Sequence, residues 1–394
     1  MVLVGTRLRT LVLGDLHLVR ESPASLVGDL ERLLSAHPGS RIVAAGDVFD
    51  LSADHPGAAR DHALREACES MPRVTRALAR HLDQGGELWI TAGNHDAALG
   101  DAQHHARLAE LLGLGAEARA RLRTTPWFIR EGGLHVEHGH LHDPDNAMPH
   151  PLATEARSLG VRFVEEFVAP TGAHRYLNNN DKTPLWLFLS AFAWYGRRGP
   201  YVVYRFFHTA FRALAESGPF FDEHGGRPAR AEELRDYAER HELDLEGLEL
   251  LAALYAEPTL RSFVGTFQRL YLDRVAATLA LGGGAALLAT GHGRLARASL
   301  SLGALAMGAS WALGYDRYGG SVAERLERGA SAIAEASDAE LVVMGHAHEE
   351  ATGPRYANTG SFAFPREAPG RPYLEIEGSL ERPRAVRRYL GRTG

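Results

Sequence analysis

Five short apolar runs in this 394-residue chain each end in a polar, glycine-containing turn. The first is Leu11-Val12-Leu13-Gly14-Asp15-Leu16-His17. Gly46-Asp47-Val48-Phe49-Asp50 follows a run at 41–45, and Gly93-Asn94-His95-Asp96 follows one at 87–92. His138-Gly139-His140 follows 133–137, and Gly345-His346-Ala347-His348 follows 341–344. A short apolar run bounded by turn residues reads as a buried strand. Helical patterns separate the first three. One covers 23–36, where Ser22 can cap, Pro23 opens and Leu26, Leu30, Leu33 and Leu34 form the stripe; the other spans roughly 58–84 and stops at Gly85-Gly86. Strand, helix, strand, helix, strand is the βαβ pattern, and ligands of such sheets bind beyond the carboxyl ends of the strands. If the extended conformation persists through Asp15 and His17, their side chains point to one side. A carboxylate and an imidazole placed together in this way are half of a divalent metal site.

Taken singly, each block has a plainer reading, because Gly-Asp and Gly-Asn pairs mark turns. Five of them at strand ends are another matter. Composition removes some alternatives. The single cysteine, Cys68, allows no internal disulfide and no cysteine-based metal site, and its helical surroundings predict a small buried side chain. A net charge of −6 offers no surface that would track a phosphate backbone, so no nucleic-acid partner is expected. The N-terminal apolar run leads straight into Asp15 and His17, so removal as a secretion signal would destroy the cluster. A cytoplasmic protein is expected, with membrane association resting on residues 275–315.

Further along, 103–114 reads as a helix, and 127–130 with 133–137 as an antiparallel pair about a Glu-Gly-Gly turn. From 150 to 318 the strand–helix alternation gives way to helical, aromatic-rich sequence, including Trp186, Phe188, Phe192, Trp194, Tyr201 and Tyr204, with polar breaks at 178–181 and 223–227. A helix at 319–336, the strand at 341–344 and short strands at 355–359, 361–364, 372–377 and 384–390 close the chain. The organisation is therefore a core in two parts, 1–149 and 319–394, around an inserted helical subdomain at 150–318. Two runs inside the insertion, 275–290 and 298–315, are almost wholly apolar. Each is shorter than the ~20 residues of a spanning helix and is rich in Gly, Ala and Ser. A hairpin dipping into a bilayer, peripheral contact with a membrane through 275–315 and close packing in a soluble subdomain are all consistent with them. The basic residues Arg382, Arg384, Arg387, Arg388 and Arg392 read either as a phosphate- or headgroup-facing patch or as a solvated strand face.

The five blocks, in this order, resemble the calcineurin-like metallophosphoesterase family. The resemblance covers 8–145 and 319–390 and extends to Tyr356-Ala357-Asn358-Thr359-Gly360-Ser361-Phe362. It implies an α/β fold, a four-layer αββα sandwich with two divalent metal ions at one edge. Carried over by motif, one ion takes Asp15, His17, Asp47 and His348, and the other takes Asp47, Asn94, His138 and His346, with Asp47 bridging. Imidazole and carboxylate ligands suit manganese, with iron, zinc or nickel as alternatives. The resemblance also implies hydrolysis of a phosphate ester or pyrophosphate by a metal-bridging hydroxide. His95 would protonate the leaving oxygen, and Asp50 would hold its second nitrogen. Asp96 is expected to brace its loop, while His140 and His142 are open to supporting, substrate-contact or merely solvated roles. A helical insertion after the His-Gly block is similar to the UDP-2,3-diacylglucosamine pyrophosphatase type. The expected substrate is thus a phosphorylated small molecule or a lipid-linked one. A metal-binding scaffold without catalysis is the reading from another class, and the oligomeric state is left open.

Overall fold

A computed structural model describes residues 8–54, 60–177, 183–221, 231–241, 243–314, 321–365 and 370–391. The polar breaks at 178–181 and 223–227, Tyr315 and Arg392 lie outside them. The chain divides into two compact units. The first comprises 1–157, 227–256 and 322–394, and the second 158–226 and 257–321. The insertion drawn from sequence at 150–318 is therefore not one block. Its middle, 227–256, packs with the core through Tyr237, Ala238, Leu248 and Leu251.

Two sheets form the first unit. One has the order β11-β10-β1-β2-β3-β4, with β1 Thr10–Leu13, β2 Arg41–Ala45, β3 Glu87–Thr91, β4 Leu122–Thr125, β10 Gly370–Gly378 and β11 Pro383–Gly391. The other runs β5-β6-β7-β9-β8, with β5 Phe128–Glu131, β6 Leu134–Glu137, β7 Leu341–Met344, β8 Glu350–Thr352 and β9 Tyr356–Thr359. Strands β1 to β4 are parallel, and β6, β7 and β9 are parallel. The apolar runs are continuous because both faces of each sheet are covered. In β1, Leu11 and Leu13 join helices on the outer face, and Val12 faces the other sheet. In β7, Leu341 and Val343 face inward, and Val342 and Met344 meet helix Val322–Ala336. The layers are helix, sheet, sheet, helix, as expected from the sequence.

Local departures have local causes. Pro72 breaks the helical stretch into Arg60–Ser70 and Pro72–Asp83. Pro23, rather than Ser22, stands at the N-cap of Ala24–Ala36, and Ser22 Oγ instead accepts from the Val19 N–H at 2.9 Å. Residues 361–364 are not a strand. They fold as a bend whose Phe362 N–H donates to the Gly14 carbonyl and whose Ala363 N–H donates to the Asp15 carbonyl, at 3.0 and 3.1 Å. Arg387 turns inward and donates to the Thr359 carbonyl at 2.6 Å and to the Ala351 carbonyl at 2.8 Å, while Arg388 pairs with Glu375 and Glu377. The basic residues of β11 are thus partly spent on holding strands.

The second unit is helical. Phe163, Phe167, Tyr176, Phe206 and Leu187 form its core. It contains helices Pro184–Tyr195 and Gly199–Ala215, then the adjacent pair Leu272–Ala289 and Gly293–Ala312.

Candidate metal centre

Every side chain of the five sequence blocks comes from the carboxyl end of a strand in the first unit, and both sheets contribute. β1, β2 and β3 supply Asp15, His17, Asp47, Asp50, Asn94 and His95, while β6 and β7 supply His138, His346 and His348. The strands do not continue into the cluster. Asp15, His17, Asp47, His346 and His348 all have positive φ, between 41° and 63°, and are five of the seven non-glycine residues with such backbone among those described. Each costs on the order of 1–3 kcal/mol and persists only where surrounding structure fixes it. The idea that Asp15 and His17 share a side because the strand persists is therefore wrong in its cause. Sharp left-handed turns, not strand alternation, bring them together.

The donors converge. His348 Nε2 lies 3.0 Å from Asp15 Oδ1 and 3.1 Å from His17 Nε2. His17 Nε2 stands 3.8 Å from both Asp15 Oδ1 and Asp47 Oδ2. His138 Nε2 is 3.2 Å from Asp47 Oδ2 and 3.1 Å from Asn94 Oδ1. Three groups with ion-binding spacing result: Asp15, His17 and His348; His17, Asp47 and His95; and Asp15, Asp47 and His138. Among the described residues, Asp15, His17 and Asp47 each belong to two of these groups, so the groups overlap. His346 is joined to the cluster through its backbone N–H, which donates to Asp15 Oδ2 at 3.0 Å, and its ring lies 5.1 Å from that of His138.

The residues fit divalent cations. Asp15 Oδ1 is buried with no hydrogen bond, although two imidazole nitrogens stand within 4 Å. His138 Nδ1 can donate to the Ala45 carbonyl at 2.8 Å, which leaves Nε2 as a lone pair facing two oxygens. A lone pair so placed needs a proton or a cation. Mixed nitrogen and oxygen donors suit first-row divalent metals. Close fits maintain the geometry. A Cβ on Gly93 would stand 2.1 Å from Asp47 Oδ1, and one on Gly46, whose φ is +78°, would stand 2.3 Å from the His138 ring.

The electrostatics are those of carboxylates and imidazoles forced into one space. Burial opposes ionisation of Asp47, but His138, His95 and His17 outweigh it and hold the carboxyl well below its usual range. Burial likewise disfavours a charged His95, yet Asp50 and Asp47 carry its pKa up to about 10. Asp50 makes the contact directly, with Oδ1 2.9 Å from His95 Nδ1. Asp96 braces the loop as expected. Its carboxylate accepts from the Val48 and Gly93 N–H groups at 2.7 Å each, and burial with Asp47 nearby raises its pKa to about 6.

His140 and His142 are not solvated, since each is 5 % exposed. His140 packs against the His138 ring at 5.3 Å, and burial holds it neutral, well below its ordinary pKa. His142 Nε2 lies 3.1 Å from Glu137 Oε1. Sequence reasoning missed several supports. Asp143 reaches His346 Nε2 at 3.2 Å and is itself held by Arg325 at 2.9 Å. Glu137 is the hub for His135, His142 and Tyr255, at 3.1, 3.1 and 2.8 Å. Asp143 closes the His138–Asp143 run of polar residues, which was a usable signal. Tyr255 comes from a stretch assigned to the insertion, so nothing local pointed to it.

A family model described as calcineurin-like phosphoesterase matches residues 8–350. No curated protein matches the chain.

Proposed function

We propose a function from one premise: the chain belongs to the calcineurin-like phosphoesterase family. It is a hydrolase of phosphate esters or pyrophosphates that works with two divalent cations, manganese first among the candidates. Asp15, His17, Asp47 and His348 would hold one ion, and Asp47, Asn94, His138 and His346 the other. Bound cations supply Lewis acidity at the phosphoryl oxygens and make water a nucleophile at neutral pH. The protein does the rest. Asp47 would hold both cations and offset the repulsion between them. Asp143, on the far nitrogen of His346, fixes that ring's orientation. His95 donates a proton to the leaving oxygen, and Asp50 holds its Nδ1 so that Nε2 is the donating atom. The observation that carries this reading is the convergence of Asp15, His17, Asp47, His138 and His348 in overlapping donor groups, with the Asp50–His95 pair beside it.

The test is metal analysis of the purified chain, then turnover of p-nitrophenyl phosphate and bis-p-nitrophenyl phosphate. About two ions per chain and His95-dependent turnover are expected. A folded chain that binds cations but turns over no phosphate ester or pyrophosphate would make it a binding scaffold. A narrower reading, a nucleotide-linked lipid pyrophosphatase of the UDP-2,3-diacylglucosamine type, is favoured by the many exposed apolar side chains of the second unit, including Leu185, Phe188 and Leu189. Equal turnover of long-chain and short-chain analogues would remove it.

A further inference from the structure

The hairpin Leu272–Ala289 and Gly293–Ala312 is built inside out for water. Its seam is built around small residues, with Leu281 and Leu300 lying over Gly303 and Gly284. Ala277 and Gly284 are buried seven residues apart, and so are Ala296, Gly303 and Ser310 on the other helix. A Cβ on Gly303 would stand 3.0 Å from the Ala277 carbonyl oxygen, so the backbones approach closely there. Other large side chains point away from the seam: Leu279 is 70 % exposed, Leu305 is 73 %, and Leu288, Leu295, Leu302 and Trp311 are exposed with them. In water a helix pair places leucine in the seam and small or polar residues outside. Packing through small residues is the arrangement of helices in lipid, where apolar side chains need no burial against protein. Only 22 % of the most apolar window of Leu272–Ala289 is buried, whereas a core helix of a soluble protein is mostly buried.

Charge and polarity respect the same boundary. The sequence carries no Asp, Glu, Lys or Arg at 275–293 or 298–314; charges stand at the base, Asp273 and Arg274, and at the tip, Arg294 and Arg297. Three hydroxyls of the hairpin are satisfied within it. Thr278 donates to the Arg274 carbonyl at 2.8 Å, Ser299 to the Ala280 carbonyl at 2.7 Å, and Thr290 to the Ala286 carbonyl at 3.1 Å. Polar groups must be so satisfied where no water is available. At the base, the Arg274 guanidinium lies 4.6 Å from the rings of both Tyr271 and Trp311, the side-chain mixture of a membrane–water boundary. A helix lying along the surface needs a charged face, which this hairpin lacks. The helical parts of the charge-free stretches, 275–289 and 298–312, run ~22 Å at 1.5 Å per residue, against ~30 Å of hydrocarbon, and arginine side chains at the tip can extend the reach to headgroups.

We propose that residues 272–312 insert into a phospholipid bilayer, with the outward leucines among the acyl chains and Arg294 and Arg297 at headgroup phosphates. This goes beyond the phosphoesterase reading and is tested without turnover. The only cysteine, Cys68, is buried and is replaced by alanine. Single cysteines at Leu279, Leu302 and Leu305 in the full chain are then labelled with an environment-sensitive nitrobenzoxadiazole dye. On addition of phosphatidylcholine–phosphatidylglycerol vesicles, all three should shift to the blue and brighten several-fold, and the chain should float with the vesicles through a high-salt wash. Leu279→Arg with Leu305→Arg should abolish flotation while circular dichroism stays unchanged. Unshifted dye with vesicles overturns the proposal. So does a blue shift already present without lipid that disappears on dilution, which would assign the surface to a second copy of this chain.

Discussion

The first unit hides charge and the second exposes hydrocarbon. Around the candidate metal centre, Asp15, Asp47, Asp96 and Glu137 are nearly inaccessible, each an anion that water would solvate better than protein does. In the hairpin 272–312, leucines that protein would bury are left outside. Both arrangements reverse the ordinary preference, and each identifies what is to be supplied from outside the chain. Clustered carboxylates and imidazoles, with a buried Asp15 oxygen that accepts no hydrogen bond, call for cations. Outward leucines over a small-residue seam call for lipid. The contrast teaches that a violated rule of burial is informative in proportion to how consistently its surroundings accommodate it.

The largest expected effect comes from breaking the charged half. Asp47→Ala removes the carboxylate common to two donor groups and should lower turnover by more than about a thousand-fold, with metal content falling alongside. If metal content and rate survive, the cluster is not what the buried charge is for. Next, His95→Asn should reduce kcat by about 10²–10⁴-fold while both ions remain bound, because the residue moves a proton and holds no cation. The pH profile sharpens this. A histidine pKa raised to about 10 keeps the acid form present at neutral pH and loses it as pH rises, so activity should fall on the alkaline side. Asp50→Asn removes the charge that contributes most to the raise, and the alkaline limb should move to lower pH.

A smaller effect is expected from Gly93→Ala. Its Cβ would collide with the Asp47 carboxylate, and overpacking of this kind costs about 1–3 kcal/mol, measurable as a lower unfolding midpoint and a weakened metal affinity. Chelation tests the comparison itself. Removing cations should speed hydrogen exchange at 14–18, 46–50, 93–96 and 345–348 and leave 275–310 as it was. Faster exchange across both regions would mean that the two are one cooperative whole. The smallest effect is at Cys68, whose thiol burial pushes up to about 12. It should resist alkylating reagents at pH 8 until the chain is unfolded.

The centre was legible in the sequence because each of its side chains follows an apolar run, and a strand end is a local signal. The αββα layers were legible for the same reason: continuous runs such as Leu341–Met344 announce a strand covered on both faces. What was not legible depends on partners distant in the chain. Asp15 and His17 meet through left-handed turns that Gly46 and the 361–363 bend stabilise, not through strand alternation. Helices Ala231–His241 and Leu245–Ala252 read as amphipathic in either unit, and only packing against Ile333, Ala334 and Leu326 assigns them to the first. Within 275–315 composition left three readings open: insertion into a bilayer, peripheral contact with one, and packing in a soluble subdomain. The seven-residue spacing of the small side chains was present in the sequence, but its meaning depends on which face meets the neighbour.

The bend at 361–363 also imposes an order in time. Phe362 and Ala363 take the carbonyls of Gly14 and Asp15, and Ser361 Oγ donates to Asp15 as well, at 3.1 Å. During synthesis, domains fold from the N-terminal end as the chain emerges. Residues 272–312 leave the ribosome before His346, His348 and this bend do. If the hairpin inserts as proposed, it does so before His346 and His348 join Asp15 and His17.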